Sequence, residues 1–247
     1  MQRDRRAIFV TLYGIVSHEM RTRIAQGAFE DPPWVHQYTV AFANLYLDAL
    51  EAYDRGDMDA VPRAWRLCFD AAKSGNGLVL QDMLLGVNAH VNSDLSLALT
   101  RVSIEPDRAR RRLDHDAVNA VLGSVTERAT ERLAELYAAG LTALDDCAGE
   151  VDEMISLFSL EVARDSAWES AVALANARTA AERALVARLI ASRAAVVARL
   201  LLAPSRNPLF MAACRRAEEG SSWLTLLAAA KHGVVAGDGS RDAVRQP

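Results

Sequence analysis

Two side chains that could transfer a proton lie one helical turn apart in the stretch from Leu78 to Leu99, LVLQDMLLGVNAHVNSDLSLAL. His90 and Asp94 are four residues apart, and residues at this spacing share one face of an α-helix. An imidazole oriented by a carboxylate can act as a general acid or base, and the same pair can bind a metal ion. We therefore predict His90 and Asp94 as catalytic residues, and as metal ligands if a divalent ion is bound.

The same helix places Asp82 and Gly86 on the side of this pair, at about 100° per residue. Most of its other faces are apolar, so we expect helix 78–99 to be buried at the centre of the fold. Gly86 costs about 1 kcal/mol relative to alanine inside a helix, which implies a close helix approach or room for a ligand. Asn88 and Asn92 lie on another face, and we predict that they tie helices together through hydrogen bonds.

Two further helices carry side chains that could complete a binding site. Asn44 and Asp48 share a face of the predicted second helix and are expected to oppose the polar stripe, with Tyr46 as a phenolic donor. Arg164 and Trp168 are one turn apart on a later helix, where a structural ion pair or cation–π contact is favoured over substrate anchoring. The predicted substrate-binding residues are Asp82, Gly86, Asn44, Tyr46, Asp48, Arg164 and Trp168.

A complete metal site would need ligands from other helices, because Asp82 lies about 12 Å along the helix from His90. Helical zinc hydrolases of the phospholipase C and P1 nuclease type use the same HxxxD spacing, but they have many more histidines than the five of this chain. We therefore predict either no cofactor or a divalent metal ion. The available donors on other helices are His18, Glu19, His36, Asp48, His115 and Glu161.

A second acidic motif, Asp145-Asp146-x-x-x-Glu150, resembles the magnesium motif of class I terpene synthases, which are also all-α. Carboxylates at this spacing can bridge Mg²⁺ to a diphosphate. The second metal motif of those enzymes is not formed here, because Asp152 and Glu161 have the wrong register. A solvated helix N-terminus explains the acidic residues more simply.

Composition and periodicity predict one all-α domain. The 247 residues are 51% hydrophobic and 24% charged, with a net charge of −4, which excludes the basic bias typical of nucleic-acid-binding proteins. Nearly every segment has helical period, and no alternating β-branched run appears. We predict a single domain over 1–232, with about eight to ten helices around helix 78–99, and a disordered tail at 233–247. Within the helix that follows Glu105-Pro106-Asp107, Asp114-His115-Asp116 is expected to form a cap or break.

Cysteine usage and hydropathy favour a cytoplasmic protein without a membrane span. Cys68, Cys147 and Cys214 are widely spaced and form no CxxC, which indicates reduced thiols. No apolar run reaches about 18 residues. The apolar run 7–16 follows arginines but lacks a cleavage site after it, so we interpret it as the first helix. The apolar side of helix 179–202 is a candidate homo-oligomer interface.

Five segments, read in order, resemble one bacterial family. They are FANLYLDAL, AWRLCFDAA, LLGVNAHVNSDL, DAVNAVL and VARDSAW. The third follows the signature LLGxNAHxNxDL without a gap, and the resemblance covers about Val10 to Leu174. On these motifs the chain resembles the actinobacterial all-helical domain of unknown function numbered fifty-nine ninety-five. The resemblance implies an all-helical fold and brings no assigned activity.

These observations favour an enzyme of small-molecule metabolism, such as a secondary-metabolite pathway. Its largely apolar substrate would bind between the second, central and Arg164-bearing helices. His90, oriented by Asp94, would catalyse a cyclisation, isomerisation or hydrolysis, since no redox cofactor motif is present. The alternatives are a non-catalytic helical ligand-binding or scaffold protein, a metal-dependent hydrolase and a terpene-cyclase-like enzyme.

Overall fold

The computed structural model describes residues 4–137, 159–203 and 208–218, and every regular element in these ranges is helical. The prediction of an all-α domain is therefore confirmed. If the helix that runs through 79–102 is counted once, this part of the chain holds eight helices. The helices are α1 (Ala7–Ala25), α2 (Pro32–Asp54), α3 (Arg63–Ser74), α4 (Val79–Ala89), a π-helical turn (His90–Asp94), α5 (Leu95–Val102), α6 (Arg108–Tyr137), α7 (Leu160–Asn176), α8 (Ala180–Leu202) and α9 (Pro208–Glu218).

Local sequence signals set the ends of the early helices. The Asp31 side chain accepts a hydrogen bond from the backbone N–H of Trp34 at 3.2 Å and so caps α2. Pro32 and Pro33 fit the first turn of α2, where a backbone N–H has no helical partner. α3 ends at Gly75, whose φ of 66° lies in the left-handed region that glycine adopts without strain. These turns fold α2 back against both α1 and α3, and α1 and α3 pack onto α4.

The stretch Asp114-His115-Asp116 does not interrupt its helix, so the predicted cap or break there is wrong. α6 runs unbroken through all three residues. Asp114 is buried, and its carboxylate accepts hydrogen bonds from the backbone N–H groups of Glu30 and Asp31 at 2.6 and 2.8 Å. Asp114 therefore fixes the turn before α2 instead of ending its own helix.

The predicted central helix is confirmed as the buried centre of the fold. α4, the π turn and α5 run on from Val79 to Val102 without a break. Within 78–99, every residue is buried except Met83, Val87 and Leu97, which are half-buried. α4 packs on α1, α3 and α8, the π turn on α2, α7 and α8, and α5 on α2 and α7. A helix enclosed in this way can keep polar side chains only where they are paired or used.

Two apolar clusters lie along the central helix, one around each half. The first surrounds α4 and includes Ala89, with side chains from α1, α3, α8 and α9. The second surrounds α5 and includes Val91, with side chains from α2, α6 and α7. The π turn therefore begins where the two clusters meet. Asn88 and Asn92 link this region to α8, as predicted: Asn92 donates to the Asn88 side chain at 3.0 Å, and Asn88 donates to the Ala194 carbonyl at 2.9 Å.

Several features predicted from the sequence lie outside the described residues. They are the acidic motif at 145–150, Cys147 and the tail at 233–247. Among the helices that the structure does describe, none is long and apolar enough to cross a membrane.

Candidate functional site

His90 and Asp94 form a hydrogen-bonded pair at the centre of the molecule. Nδ1 of His90 lies 3.0 Å from Oδ2 of Asp94, and both side chains are buried. The same Oδ2 accepts a hydrogen bond from the indole N–H of Trp65 in α3 at 2.7 Å. Because a carboxylate only accepts hydrogen bonds, this network assigns the imidazole proton to Nδ1 and leaves the lone pair on Nε2.

The pair occupies the first and last residues of the π-helical turn. π turns are rare, and they occur frequently at functional sites. Because a π turn holds more residues than an α turn, the face assigned at 100° per residue no longer applies after His90. The turn therefore changes the direction of Asp94 relative to the residues of α4, and Asp94 meets Trp65 on α3.

Five aromatic rings from α1, α2 and α3 surround the His90 imidazole. The closest ring lies parallel to it, at an interplanar angle of 11°, and a second stands edge-on at 89°. Such a cage fixes the plane of the imidazole and excludes water from its faces. The ring centroids lie at 3.5 Å for Phe42, 4.8 Å for Tyr13, 5.4 Å for Phe9, 5.9 Å for Trp65 and 6.5 Å for Tyr46.

Nε2 of His90 is buried and has no hydrogen-bond partner among the described residues. Burial lowers the pKa of His90, although the hydrogen bond and charge of Asp94 oppose that shift. The imidazole is therefore neutral at neutral pH. A buried polar atom without a partner costs about 1–3 kcal/mol, so its presence in a native fold needs an explanation. Binding of a ligand at Nε2 provides one.

A cavity of about 250 Å³ lies beside the imidazole. Its described lining comes from α1, α2, α4, the π turn, α6 and the first turns of α7, and is mostly apolar, with side chains such as Val16, Phe42 and Leu122. Thr126 belongs to the lining and is exposed, so the cavity reaches the surface beside α6. The cavity touches all three helices of the predicted pocket, and also α1 and α6, which that prediction left out.

Neither Asp82 nor Gly86 is among the described residues that line the cavity beside His90. Oδ2 of Asp82 forms an ion pair with Nε of Arg5 at 2.5 Å, and burial raises the pKa of Asp82 while Arg5 opposes the shift. A β-carbon on Gly86 would lie 2.6 Å from the Phe9 ring of α1. The close helix approach expected at Gly86 is therefore confirmed.

α2 directs Asn44 and Asp48 away from His90, so their predicted placement opposite the polar stripe is wrong. Both residues are exposed. Tyr46 lies two residues after Asn44, and residues two apart point to opposite sides of a helix. Tyr46 is accordingly buried; its hydroxyl has no partner among the described residues, and burial raises the pKa of Tyr46 to about 12. The prediction placed both faces of α2 at the site, and only one of them can reach it.

Arg164 and Trp168 both lie on α7, but they do not stack on each other. The guanidinium over the Trp168 ring belongs to Arg112 of α6, 5.6 Å from the ring centroid. Arg164 is buried and lines the cavity. It donates from Nε to the Asn119 side chain at 2.7 Å, and from Nη2 to the His115 carbonyl at 2.5 Å. The predicted contact between Arg164 and Trp168 is therefore wrong, and Arg112 makes the cation–π contact at Trp168 instead.

The described residues do not provide a third ligand for the predicted metal site at His90 and Asp94. No group of three His, Cys, Asp or Glu side chains comes together in these ranges, whereas catalytic zinc sites use three protein ligands. Nδ1 and Oδ2 of the pair bond to each other. Of the proposed donors on other helices, His18, His36, Asp48 and Glu161 are exposed, Glu19 pairs with Arg23, and His115 is buried against the Arg164 carbonyl.

The residues that sequence reasoning missed are mainly aromatic. Phe42, Tyr13 and Trp65 lie on helices that were predicted, but aromatic side chains at helical spacing are typical of any core. Trp65 had a usable signal, since a buried carboxylate such as Asp94 needs N–H donors and indole is one. The missed cavity lining on α6 had no comparable signal.

Comparison with known proteins gives one family match. A family model described as a family of unknown function (DUF5995) matches residues 1–204. No curated protein and no solved structure is similar enough to the chain to count as a match.

Proposed function

The chain belongs to the DUF5995 family of unknown function, and from its site we propose an enzyme that acts on a small, largely apolar molecule by proton transfer at His90. The observation that carries this proposal is that His90 lines a mostly apolar cavity and that its Nε2 has no partner among the described residues. The opposite ring nitrogen is held by Asp94, and Asp94 is held by Trp65. A buried carboxylate bonded to Nδ1 likewise orients the histidine base of many hydrolases.

His90 is suited to begin a reaction as the base. Its neutral form carries the lone pair on Nε2, so it can take a proton from a substrate or from a water molecule next to the substrate. The resulting imidazolium is stabilised by the hydrogen bond to Asp94, and it can return the proton to another atom of the substrate. Cyclisation, isomerisation and hydrolysis all follow this sequence, and they need no redox cofactor.

The cavity limits the size of the substrate. An apolar cavity of about 150 Å³ in another protein accommodates benzene, so a cavity of about 250 Å³ has room for one ring with short substituents. The apolar lining favours a molecule that is mostly hydrocarbon.

The test is a search for proton transfer in a panel of small esters, ketones and lactones incubated with the protein in D₂O. NMR records both hydrolysis and deuterium incorporation next to the carbonyl group. We expect conversion of at least one compound, and a rate about 10²–10⁴-fold lower for His90→Gln. Tyr46→Phe is the matched control, because Tyr46 belongs to the same aromatic cage but does not line the cavity.

Conversion that survives His90→Gln would contradict the proposal. A second candidate, a non-catalytic ligand-binding protein, is favoured by the closed aromatic cage around the imidazole. In that case panel compounds would raise the melting temperature of the wild-type protein and would be recovered unchanged with no deuterium incorporated.

We also propose a cytoplasmic location and self-association. Cys68 is a free thiol buried in the core, which fits a reducing compartment.

The self-association would use one side of α8, where four apolar side chains are exposed: Leu185, Leu189, Val196 and Leu200. An exposed apolar face of this kind supports a second copy of the protein as its partner. Sedimentation of the wild type and of Leu189→Glu tests this proposal, since a dimer through α8 would dissociate in the variant. A role in secondary metabolism stays a prediction.

A further inference from the structure

Arg164 is a buried cation without a carboxylate partner in the described part of the chain. Its residue is 3% exposed, and no Asp or Glu oxygen of the described residues lies within ion-pair distance of it. The neighbouring Asp165 is not available, because its carboxylate pairs with Arg112 at 2.6 Å. Burying an unpaired charge is costly, so proteins keep such a group only where something else compensates it.

The partners that Arg164 does have leave part of its guanidinium unused. Nε donates to Asn119 and Nη2 to the His115 carbonyl, both at short distance. Nη1 has only a weak contact, 3.5 Å from the Tyr38 hydroxyl. A guanidinium carries five N–H groups, so these contacts leave two N–H groups for a further acceptor. All three partners are neutral, and none of them balances the charge.

Arg164 and Tyr38 both line the cavity beside His90. The described lining contains no Asp, Glu or Lys, so Arg164 is its fixed charge. Phe42 also lines the cavity, and its ring stacks on His90 at 3.5 Å and on Tyr38 at 6.3 Å. The described lining thus combines one cation, Arg164, with His90, whose Nε2 has no partner among the described residues, in mostly apolar surroundings.

We propose that the ligand of this cavity is a small apolar carboxylic acid, bound as its carboxylate by Arg164 and Tyr38. This inference rests on the proposed function, because it names the class of substrate that the His90 site would take. Guanidinium and carboxylate match in geometry and form paired hydrogen bonds. A monoanion fits better than a phosphate dianion, whose second charge would lie uncompensated in an apolar cavity. The hydrocarbon part of the acid lies along Phe42 and extends towards Nε2 of His90.

The test compares acids with their neutral amides by isothermal titration calorimetry. The probes are benzoate, phenylacetate and hexanoate, with benzamide, phenylacetamide and hexanamide as the matched neutral compounds. We expect at least one acid to bind at least tenfold more tightly than its amide. Arg164→Gln should remove this preference and leave amide binding unchanged.

Arg193→Gln is the control variant. Arg193 is also a partly buried arginine without a carboxylate partner among the described residues, but it does not line the cavity and it bonds to the Asn92 carbonyl. The preference for acids should survive this substitution.

Three results would overturn the proposal: no acid bound at millimolar concentration, equal affinity for acid and amide in the wild type, or an unchanged acid preference in folded Arg164→Gln. The comparison of acid and amide affinities in the wild-type protein needs no variant, so it still tests the proposal if Arg164→Gln does not fold. If the acid-binding test fails, the proton-transfer proposal is unaffected, because His90→Gln tests that proposal separately. Failure of the proton-transfer test with acid preference intact would identify a carboxylate-binding protein that is not an enzyme.

Discussion

The pairing of His90 Nδ1 with Asp94, together with an Nε2 that has no hydrogen-bond partner among the described residues, distinguishes this site from an ordinary satisfied core. The hydrogen-bond chain from Trp65 to Asp94 to His90 determines which ring nitrogen carries the proton. These two hydrogen bonds make a buried histidine, which would otherwise only fill space in the core, into an oriented base. Without Asp94, burial alone would lower the pKa of His90 further and leave its tautomer undetermined.

The tautomer of His90 is directly measurable. At pH 7 we expect the ¹⁵N NMR spectrum to show a protonated Nδ1 and an unprotonated Nε2. Asp94→Leu removes the acceptor of the Nδ1 proton, so the fraction of molecules that carry the proton on Nε2 should rise. His115, whose Nε2 contacts the Arg164 carbonyl, should keep its signals in the variant. A wild-type spectrum with the proton on Nε2 would remove the basis for catalysis by His90.

His115 makes stability depend on pH. Burial, with the nearby Arg164 and Arg112 charges, lowers the pKa of His115 to about 2 in the folded protein, against 6.5 for the free side chain. Below pH 6.5 the unfolded chain binds a proton that the folded protein does not, so folding stability falls as the pH drops. The expected loss is about 1.4 kcal/mol per pH unit from this residue.

Urea unfolding of the wild type and of His115→Asn between pH 7 and pH 5 checks this expectation. The difference between their unfolding free energies should shrink by about 1.4 kcal/mol per unit below pH 6.5. A constant difference across this range would show that His115 is protonated in the folded state.

The contact between α1 and α4 depends on the absence of a side chain at Gly86. Gly86→Ala gains about 1 kcal/mol of helix propensity, but its methyl group would clash with Phe9, and overpacking costs about 1–3 kcal/mol. We expect net destabilisation, measured as a lower melting temperature. Gly123→Ala on α6 is the matched control, because nothing lies within 4 Å of its new methyl group. That variant should be stabilised; equal effects of both would argue against the close approach.

Sequence reasoning succeeded for the helices and failed where one helix departs from regular geometry. The spacing of apolar residues over 78–99 predicted the buried central helix, because a helix that is apolar on most of its faces must be surrounded by other helices. The grouping of Asp82, Gly86, His90 and Asp94 on one face holds only in part. His90 and Asp94 bond to each other, whereas Asp82 pairs with Arg5 and Gly86 packs against Phe9. Nothing in the residues from His90 to Asp94 marks a π turn, since it depends on the surrounding helices.

The cavity belongs to the scale of the whole molecule: all three helices of the predicted pocket line it, but its extension along α1 and α6 could not be predicted from local pattern. Its lining joins α1 and α2 to α6 and α7, which lie far from them in the sequence. Helix periodicity predicts which residues face inward, but not where their packing leaves a gap. The same limit explains why Arg164 was expected to contact Trp168 and instead lines the cavity.

Filling this gap should exchange function for stability. Ala129 is buried and lines the cavity, so Ala129→Leu fills part of its volume and should stabilise the protein by about 0.5–2 kcal/mol. The same variant should lose binding of the small acids. Ala167 is buried in the core outside the cavity lining, and Ala167→Leu should destabilise by about 1–3 kcal/mol. Destabilisation by both substitutions would mean that the cavity closes in solution.

The hydrogen bond from Trp65 to Asp94 gives the site an optical signal. The indole shares one carboxylate oxygen with His90, and its ring lies 5.9 Å from the imidazole. A proton that arrives on the imidazole places a positive charge beside an indole that is shielded from water, and charged imidazole quenches indole emission. Tryptophan fluorescence can therefore follow events at His90 in real time, and compounds can be screened by light before any reaction product is known.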